Sequence, residues 1–100
     1  MRISLLLLLS GLLHAAQSGK EIYQQYCIVC HASGLAGAPK FRAQNAWKAR
    51  CEKKKLDGLV ASAVKGLNAM PAKGTCQECK AYDIKAAIRY MVPNDEANCK

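Results

Sequence analysis

Three features of the sequence predict an all-α fold. Apolar residues recur every three or four positions in several segments, as they do along the buried face of a helix. No segment alternates apolar and polar residues in the way that a half-buried strand does. The intervening loops are long for a chain of 100 residues, and long loops in a compact domain need something to wrap around. We therefore expect three to five helices in one domain over residues 19–100.

Residues 1–18 have the layout of a secretory signal peptide. Arg2 supplies a positive start, an apolar run covers residues 3–13, and small residues follow. Cleavage after Ser18 fits the small-residue rule better than cleavage after Ala16, and an uncleaved anchor is the lesser alternative. The run is too short to span a bilayer and no long apolar run follows it, so we expect an exported protein without a transmembrane segment.

Four segments of the mature chain are predicted to be helical. They are residues 19–30, 43–50, 56–65 and 83–92. The third helix has an apolar stripe that consists of Leu56, Leu59, Val60, Ala63 and Val64. The stripe of the fourth helix consists of Ile84, Ala87, Ile88 and Met91. Gly66 and Pro93 are placed to end these two helices, the glycine- and proline-rich segments 33–40 and 66–79 are loops, and residues 94–100 form a short polar tail.

Large apolar side chains are scarce in the mature chain. Leu, Ile, Val and Phe make up 13 of its 82 residues, about 16%, and the net charge is +7 once Arg2 is removed. A chain with less than about 20% of these residues and a high net charge struggles to fold alone. A domain of this size usually needs disulfides, a metal or another staple, and six cysteines follow residue 18.

Cys27, Cys30 and His31 are the residues that predict the chemistry. Positions i, i+3 and i+4 share one face of a helix, so two thiols and an imidazole point the same way. C-x-x-C-H is the attachment motif of c-type haem, in which the thiols form thioether bonds and the imidazole binds iron. A redox-active C-x-x-C, a structural disulfide and half of a zinc site are the alternatives, but the export signal and the all-α pattern favour haem c.

Met70 is the candidate for the second axial ligand of the haem iron. It precedes Pro71 in a loop, and proline biases the preceding residue away from helical geometry. Met91 lies on the apolar stripe of the last helix, where core packing is the expected role. A His/Met pair is typical of electron-carrying haem proteins, because the thioether raises the reduction potential.

Pro39 and Trp47 are further candidates for cofactor contacts. A ligating histidine usually donates its other ring N–H to a carbonyl, which Pro39 could offer, although this residue could instead only shape the turn. The indole of Trp47 could reach a haem propionate and cover the haem edge, and core packing is an equal alternative. Arg50 and Lys48 are weaker candidates for the propionates.

The other four cysteines leave more than one pairing open. Cys76 and Cys79 form a second C-x-x-C, but the gap of 45 residues between the two motifs is longer than the 15–20 residues usual in zinc ribbons. In an oxidising compartment a Cys76–Cys79 disulfide is favoured instead. Cys51 and Cys99 either pair or stay free, and the even cysteine count of an exported chain favours pairing.

These motifs together resemble those of class I c-type cytochromes, specifically the small bacterial cytochrome c5 type. The resemblance covers nearly all of residues 19–92 through the segments GKEIY, CIVCHASG, GAPK, the region of Trp47, GLNAMPAKGTCQEC and IKAAIRYM. It implies a compact helical fold around one covalently bound haem, with the first and last helices crossing. For single residues it implies thioether bonds at Cys27 and Cys30, axial ligation by His31 and Met70, a Pro39 carbonyl behind His31, and a Cys76–Cys79 disulfide. Cys51 and Cys99 depart from the family pattern.

The motifs and the resemblance together predict a one-electron carrier in the periplasm of a Gram-negative bacterium, and not an enzyme. We expect it to pass electrons from a quinol-oxidising donor to a terminal oxidase or reductase, as a monomer or weak dimer. Its basic surface predicts partners with acidic docking surfaces. The charges to test are Lys40, Arg42, Lys48, Lys53, Lys54, Lys55, Lys65 and Lys73.

Other functions that the sequence allows are a haem-based ligand-binding or sensing module and a zinc or thiol-redox protein. Export and scarce aromatic residues disfavour nucleic-acid binding. No combination of nucleophile, acid and base indicates a hydrolase.

Overall fold

The computed structural model describes residues 17–100, so the predicted signal peptide lies almost wholly outside the described residues. The helices of this part are α1 (Gly19–Ile22), α2 (Ile28–Ser33), α3 (Gln44–Lys65) and α4 (Ala81–Met91). Short 3-10 turns occur at Leu35–Gly37, Ala72–Thr75 and Ala97–Cys99. Within residues 17–100 there is no β-strand, and the all-α prediction is confirmed. None of the described helices combines the length and apolarity needed to cross a membrane.

A π-helical turn, Tyr23–Cys27, joins α1 and α2 into one helical segment. The segment begins at Ser18 with a capping box, in which Ser18 Oγ accepts from the Glu21 N–H and the Glu21 carboxylate accepts from the Ser18 N–H. It ends at Gly34, whose φ of 82° is a conformation that glycine adopts without strain. The predicted first helix is therefore present, and it extends a few residues further than the sequence pattern indicated.

The second and third predicted helices are parts of one element, α3, which is interrupted at Lys55. The backbone of Lys55 leaves the helical conformation there, with a positive φ of 60° and a ψ of 175°. Its ammonium group donates to the Glu52 carbonyl at 2.9 Å and to Asn98 Oδ1 at 3.3 Å. The helix continues through Cys51, which is fully buried, although the polar residues around it hide this continuation from an apolar-pattern analysis.

The core forms where α1 crosses α4 and where α3 packs along α4. Ile22 and Ala87 are each 1% exposed at the first crossing. A Cβ at Gly19 would collide with the Ala86 carbonyl oxygen, so only glycine permits this close approach of the two helices. Met91 is buried in the same core, as expected for its place on the apolar stripe.

Two disulfides fix the segments that the helices leave loose. Cys51 in α3 is bonded to Cys99, which ties the C-terminal tail to the middle of the chain. Cys76 is bonded to Cys79 within the loop before α4. Both pairings favoured by the sequence are confirmed, and all four of these cysteines are buried.

The Cys51–Cys99 disulfide is expected to supply a large share of the stability. It joins residues 48 positions apart, and closing a loop of that length stabilises a fold by about 4 kcal/mol in the chain-entropy account. A Cys51→Ala/Cys99→Ala variant should lose about 2–4 kcal/mol in the free energy of unfolding, measured by urea titration of the native protein. Unfolding of this variant at the wild-type urea concentration would contradict the prediction.

Candidate functional site

A cavity of about 320 Å³ lies between α2, the loop that follows it, and the loop after α3. Cys27, Cys30, His31 and Met70 all line it. Much of the remaining wall consists of small or apolar residues from the two loops. The fold therefore brings two thiols, an imidazole and a thioether from two distant segments of the chain to one cavity.

Cys27 and Cys30 are the unpaired cysteines of the described residues, and both are half-buried. Burial, with a smaller contribution from the nearby Cys30, raises the pKa of the Cys27 thiol to about 11. Thiol–disulfide catalysis needs a lowered thiol pKa, because the thiolate is the nucleophile. The environment of Cys27 therefore does not suit the redox-active C-x-x-C alternative.

His31 is held in one orientation by the residues that follow it. Its Nδ1 lies 2.8 Å from the Pro39 carbonyl oxygen, and a carbonyl can only accept, so Nδ1 carries a proton; the neutral imidazole then has its lone pair on Nε2. The His31 carbonyl accepts from the Phe41 N–H at 2.7 Å. The Trp47 ring stacks beside the imidazole, with ring centroids 6.1 Å apart. The ring is thus oriented as a metal-binding histidine requires.

Trp47 packs in the core and does not line the cavity. It is 3% exposed, and its indole N–H donates to the Lys40 carbonyl at 2.8 Å. The indole has a single N–H donor, and in this structure that donor is bonded to the Lys40 carbonyl. The Lys40 carbonyl, at the turn into α3, also accepts from the Ala43 N–H at 3.0 Å, so one carbonyl ties the turn to the indole.

Met70 lies in a tight turn that opens the loop after α3. Leu67 and Met70 exchange two backbone hydrogen bonds, with N–O distances of 3.1 and 2.8 Å. Asn68 has a φ of 53°, which this residue type tolerates better than most. Pro71 then continues in an extended conformation. The turn keeps the half-buried Met70 at the cavity wall.

Arg50 supplies the one charged side chain among the cavity-lining residues of the described chain. Its Nη1 donates to the Ala46 carbonyl at 2.8 Å, and the side chain is otherwise exposed. Lys48, the other propionate candidate, does not line the cavity.

Tyr26 is a lining residue that the sequence did not identify as a site candidate. Its hydroxyl donates to Glu78 Oε2 at 2.8 Å, across a sequence separation of 52 residues. No local sequence pattern predicts a hydrogen bond between positions so far apart, so this bond could be found only from the tertiary structure.

The donor set fits a covalently attached haem. A half-buried thiol pair, an oriented imidazole and a thioether around one apolar cavity match the requirements of attachment and His/Met ligation. A zinc site built from both C-x-x-C motifs would need four thiolates, but Cys76 and Cys79 are bonded to each other.

Comparison with known proteins gives a consistent result. Residues 14–91 match the family model described as cytochrome c oxidase, cbb3-type, subunit III. The chain is 49% identical over 77 residues to cytochrome c5 of Azotobacter vinelandii, an alignment that covers 76% of this chain and 93% of that protein.

Similar solved structures include a mono-haem ferrocytochrome c from Shewanella putrefaciens. The TM-score is 0.70 and the identity 41%, over 87% of this chain and 100% of that one. A chain in the crystal structure of an electron-transfer complex of nitrite reductase with cytochrome c is also similar, with a TM-score of 0.69 and 36% identity. That match covers 78% of this chain and 94% of the other.

Proposed function

This chain belongs to the class I c-type cytochromes of the cytochrome c5 type, and on that premise we propose that it carries single electrons in the periplasm. Its relatives are small electron-transfer cytochromes, so the chain is a haem electron carrier and not an enzyme, with one covalently attached haem c. The layout of residues 1–18 supports export.

The observation that carries the proposal is the meeting of four side chains at one cavity. Cys27 and Cys30 would hold the haem through thioether bonds, and His31 and Met70 would be the ligands of its iron. When bound, haem c supplies a one-electron couple between ferrous and ferric iron. The chain's own part is to present His31 Nε2 with its lone pair free, to offer a neutral thioether, and to keep water away with an apolar wall.

Arg50 is proposed to pair with a haem propionate. It is the charged residue of the described cavity lining, and a guanidinium offers several donors to a carboxylate. The exposure of its side chain limits the strength of this pairing, because water screens it.

The basic docking surface is proposed to centre on Lys40 and Lys73. Each is a direct chain neighbour of a cavity-lining residue, Pro39 and Gly74 respectively. Other candidate charges have partners within the fold. Lys54 donates to Ser62, Lys55 donates to Asn98, and the Arg42 guanidinium lies over the rings of Phe41 and Tyr90.

The proposed partners are acidic redox proteins, with a quinol-oxidising complex as donor and a terminal oxidase or reductase as acceptor. Complementary charge accelerates the encounter of such partners and makes its rate fall with salt. The similar cytochrome complex with nitrite reductase supports a reductase as one acceptor.

Replacement of Met70 tests the axial ligand. A Met70→Ala variant should lose the weak far-red band of a Met–iron bond in the ferric spectrum. Its reduction potential should fall by on the order of 100 mV, because axial ligands tune haem potentials over about 0.8 V. Met91→Leu is the matched control, since Met91 is buried in the core and should leave both quantities unchanged. A far-red band that survives in Met70→Ala would overturn the assignment, because another methionine would then bind the iron. A high-spin wild-type spectrum without this band would favour a ligand-binding haem protein instead.

Charge reversal tests the docking surface. A Lys40→Glu/Lys73→Glu variant should be oxidised severalfold more slowly by ferricyanide, an anionic probe, at low ionic strength, and the difference should shrink as salt is added. Lys53→Glu/Lys100→Glu changes the net charge equally at exposed positions and serves as the control. Equal rates for the two variants at low salt would show that Lys40 and Lys73 do not border the site of electron exchange.

A further inference from the structure

Two segments that flank the cavity are joined by one long-range side-chain bond. Tyr26 immediately precedes Cys27, lines the cavity and packs against the core. Its hydroxyl donates to Glu78 Oε2 at 2.8 Å. Glu78 lies in the loop of residues 66–79, which also carries Met70. The bond therefore links the haem-attachment segment to the loop that bears the proposed second ligand.

Glu78 is presented from a rigid position. It lies between Cys76 and Cys79, which are bonded to each other and buried. The Cys79 N–H also donates to the Cys76 carbonyl at 3.1 Å. The carboxylate itself is exposed, but its backbone is fixed on both sides, so the bond with Tyr26 constrains the loop and not merely a side chain.

Only short-range backbone bonds connect this rigid position to Met70. The Cys76 N–H donates to the Lys73 carbonyl, and the Gly74 N–H donates to the Pro71 carbonyl, both at 3.0 Å. The segment belongs to no α-helix or strand. Consecutive turns of this kind fix the local shape of the segment. A contact with another part of the fold is needed to fix the position of the segment over the cavity.

Tyr26 meets this segment at a second point. Gly74 has a φ of 58° and approaches the main chain of Tyr26 so closely that a Cβ would lie 3.0 Å from the Tyr26 carbonyl oxygen. The backbone and the hydroxyl of Tyr26 thus contact the loop on either side of the Cys76 position. The same hydrogen bond raises the pKa of Tyr26 and lowers the pKa of Glu78, as expected for a phenol that donates to an ionised carboxylate.

We propose that Tyr26 and Glu78 are positioning residues for Met70. The hydrogen bond between Tyr26 and Glu78 holds the loop of residues 66–79 closed over the cavity, and this slows the departure of the Met70 thioether from iron. The proposal rests on the proposed function, because it requires Met70 to be the axial ligand. Tyr26 and Glu78 act on Met70 through the loop that carries it.

The test is the rate at which cyanide displaces the thioether in the ferric holoprotein. At saturating cyanide, opening of the loop limits the rate, which is followed by the loss of the far-red band. Tyr26→Phe and Glu78→Gln should each bind cyanide about three- to tenfold faster than wild type, the factor that the loss of one hydrogen bond produces. The double variant should be no faster than the faster single variant, because both changes remove the same bond.

Matched controls exist on the same chain. Tyr82 is 67% exposed, and neither it nor the Glu52 carboxylate has a hydrogen-bond partner among residues 17–100. Tyr82→Phe and Glu52→Gln should therefore bind cyanide at the wild-type rate. Accelerations of the same size in these controls would overturn the assignment to Tyr26 and Glu78.

The outcomes separate this proposal from the function on which it rests. A wild-type protein that lacks the far-red band would overturn Met70 ligation itself. A wild-type band together with unaccelerated Tyr26→Phe and Glu78→Gln variants would overturn the positioning role alone. If the accelerations of cyanide binding by the two single changes multiply in the double variant, the two residues act independently. That result would also overturn the positioning role.

Discussion

The cavity between the haem-attachment helix and the Met70 loop is the constraint on which the rest of the structure depends. These two segments enclose a cavity of about 320 Å³. Across this cavity they lack the direct side-chain packing that usually stabilises a small domain. Covalent links take over part of that role. The Cys51–Cys99 and Cys76–Cys79 disulfides hold the tail and the loop, and the proposed thioether bonds at Cys27 and Cys30 attach the group that fills the space.

Three consecutive residues connect stability to the properties of the site. The Pro39 carbonyl accepts from His31 Nδ1, the Lys40 carbonyl accepts from the Trp47 indole, and the Phe41 N–H donates to the His31 carbonyl. The loop after α2 is therefore fixed to the histidine by the same hydrogen bonds that fix the histidine itself. A shift of this loop would turn the imidazole and also expose the core. The orientation of His31 therefore depends on the folding of the loop.

The sequence predicted features that depend on local spacing. The C-x-x-C-H motif, the stripe of α4 and the position of Met70 before Pro71 need only neighbouring residues, and the structure brings the motif and Met70 to one cavity. Features that depend on distant partners escaped it. The helical residues around Cys51 are too polar for an apolar pattern, and the bond between Tyr26 and Glu78 joins positions 52 residues apart. Trp47 could not be placed in advance, because a propionate contact and core packing were equal alternatives and its bond to the Lys40 carbonyl depends on the turn into α3.

The central claim is that haem completes a core that the side chains alone do not supply. Far-ultraviolet circular dichroism of a Cys27→Ala/Cys30→Ala variant, prepared without haem, tests it most directly against the haem-containing wild type. The scarcity of large apolar residues predicts a largely unfolded chain, even with both disulfides intact. Substantial helix that melts in a cooperative transition would contradict the claim, and would show that the chain forms its core without the cofactor.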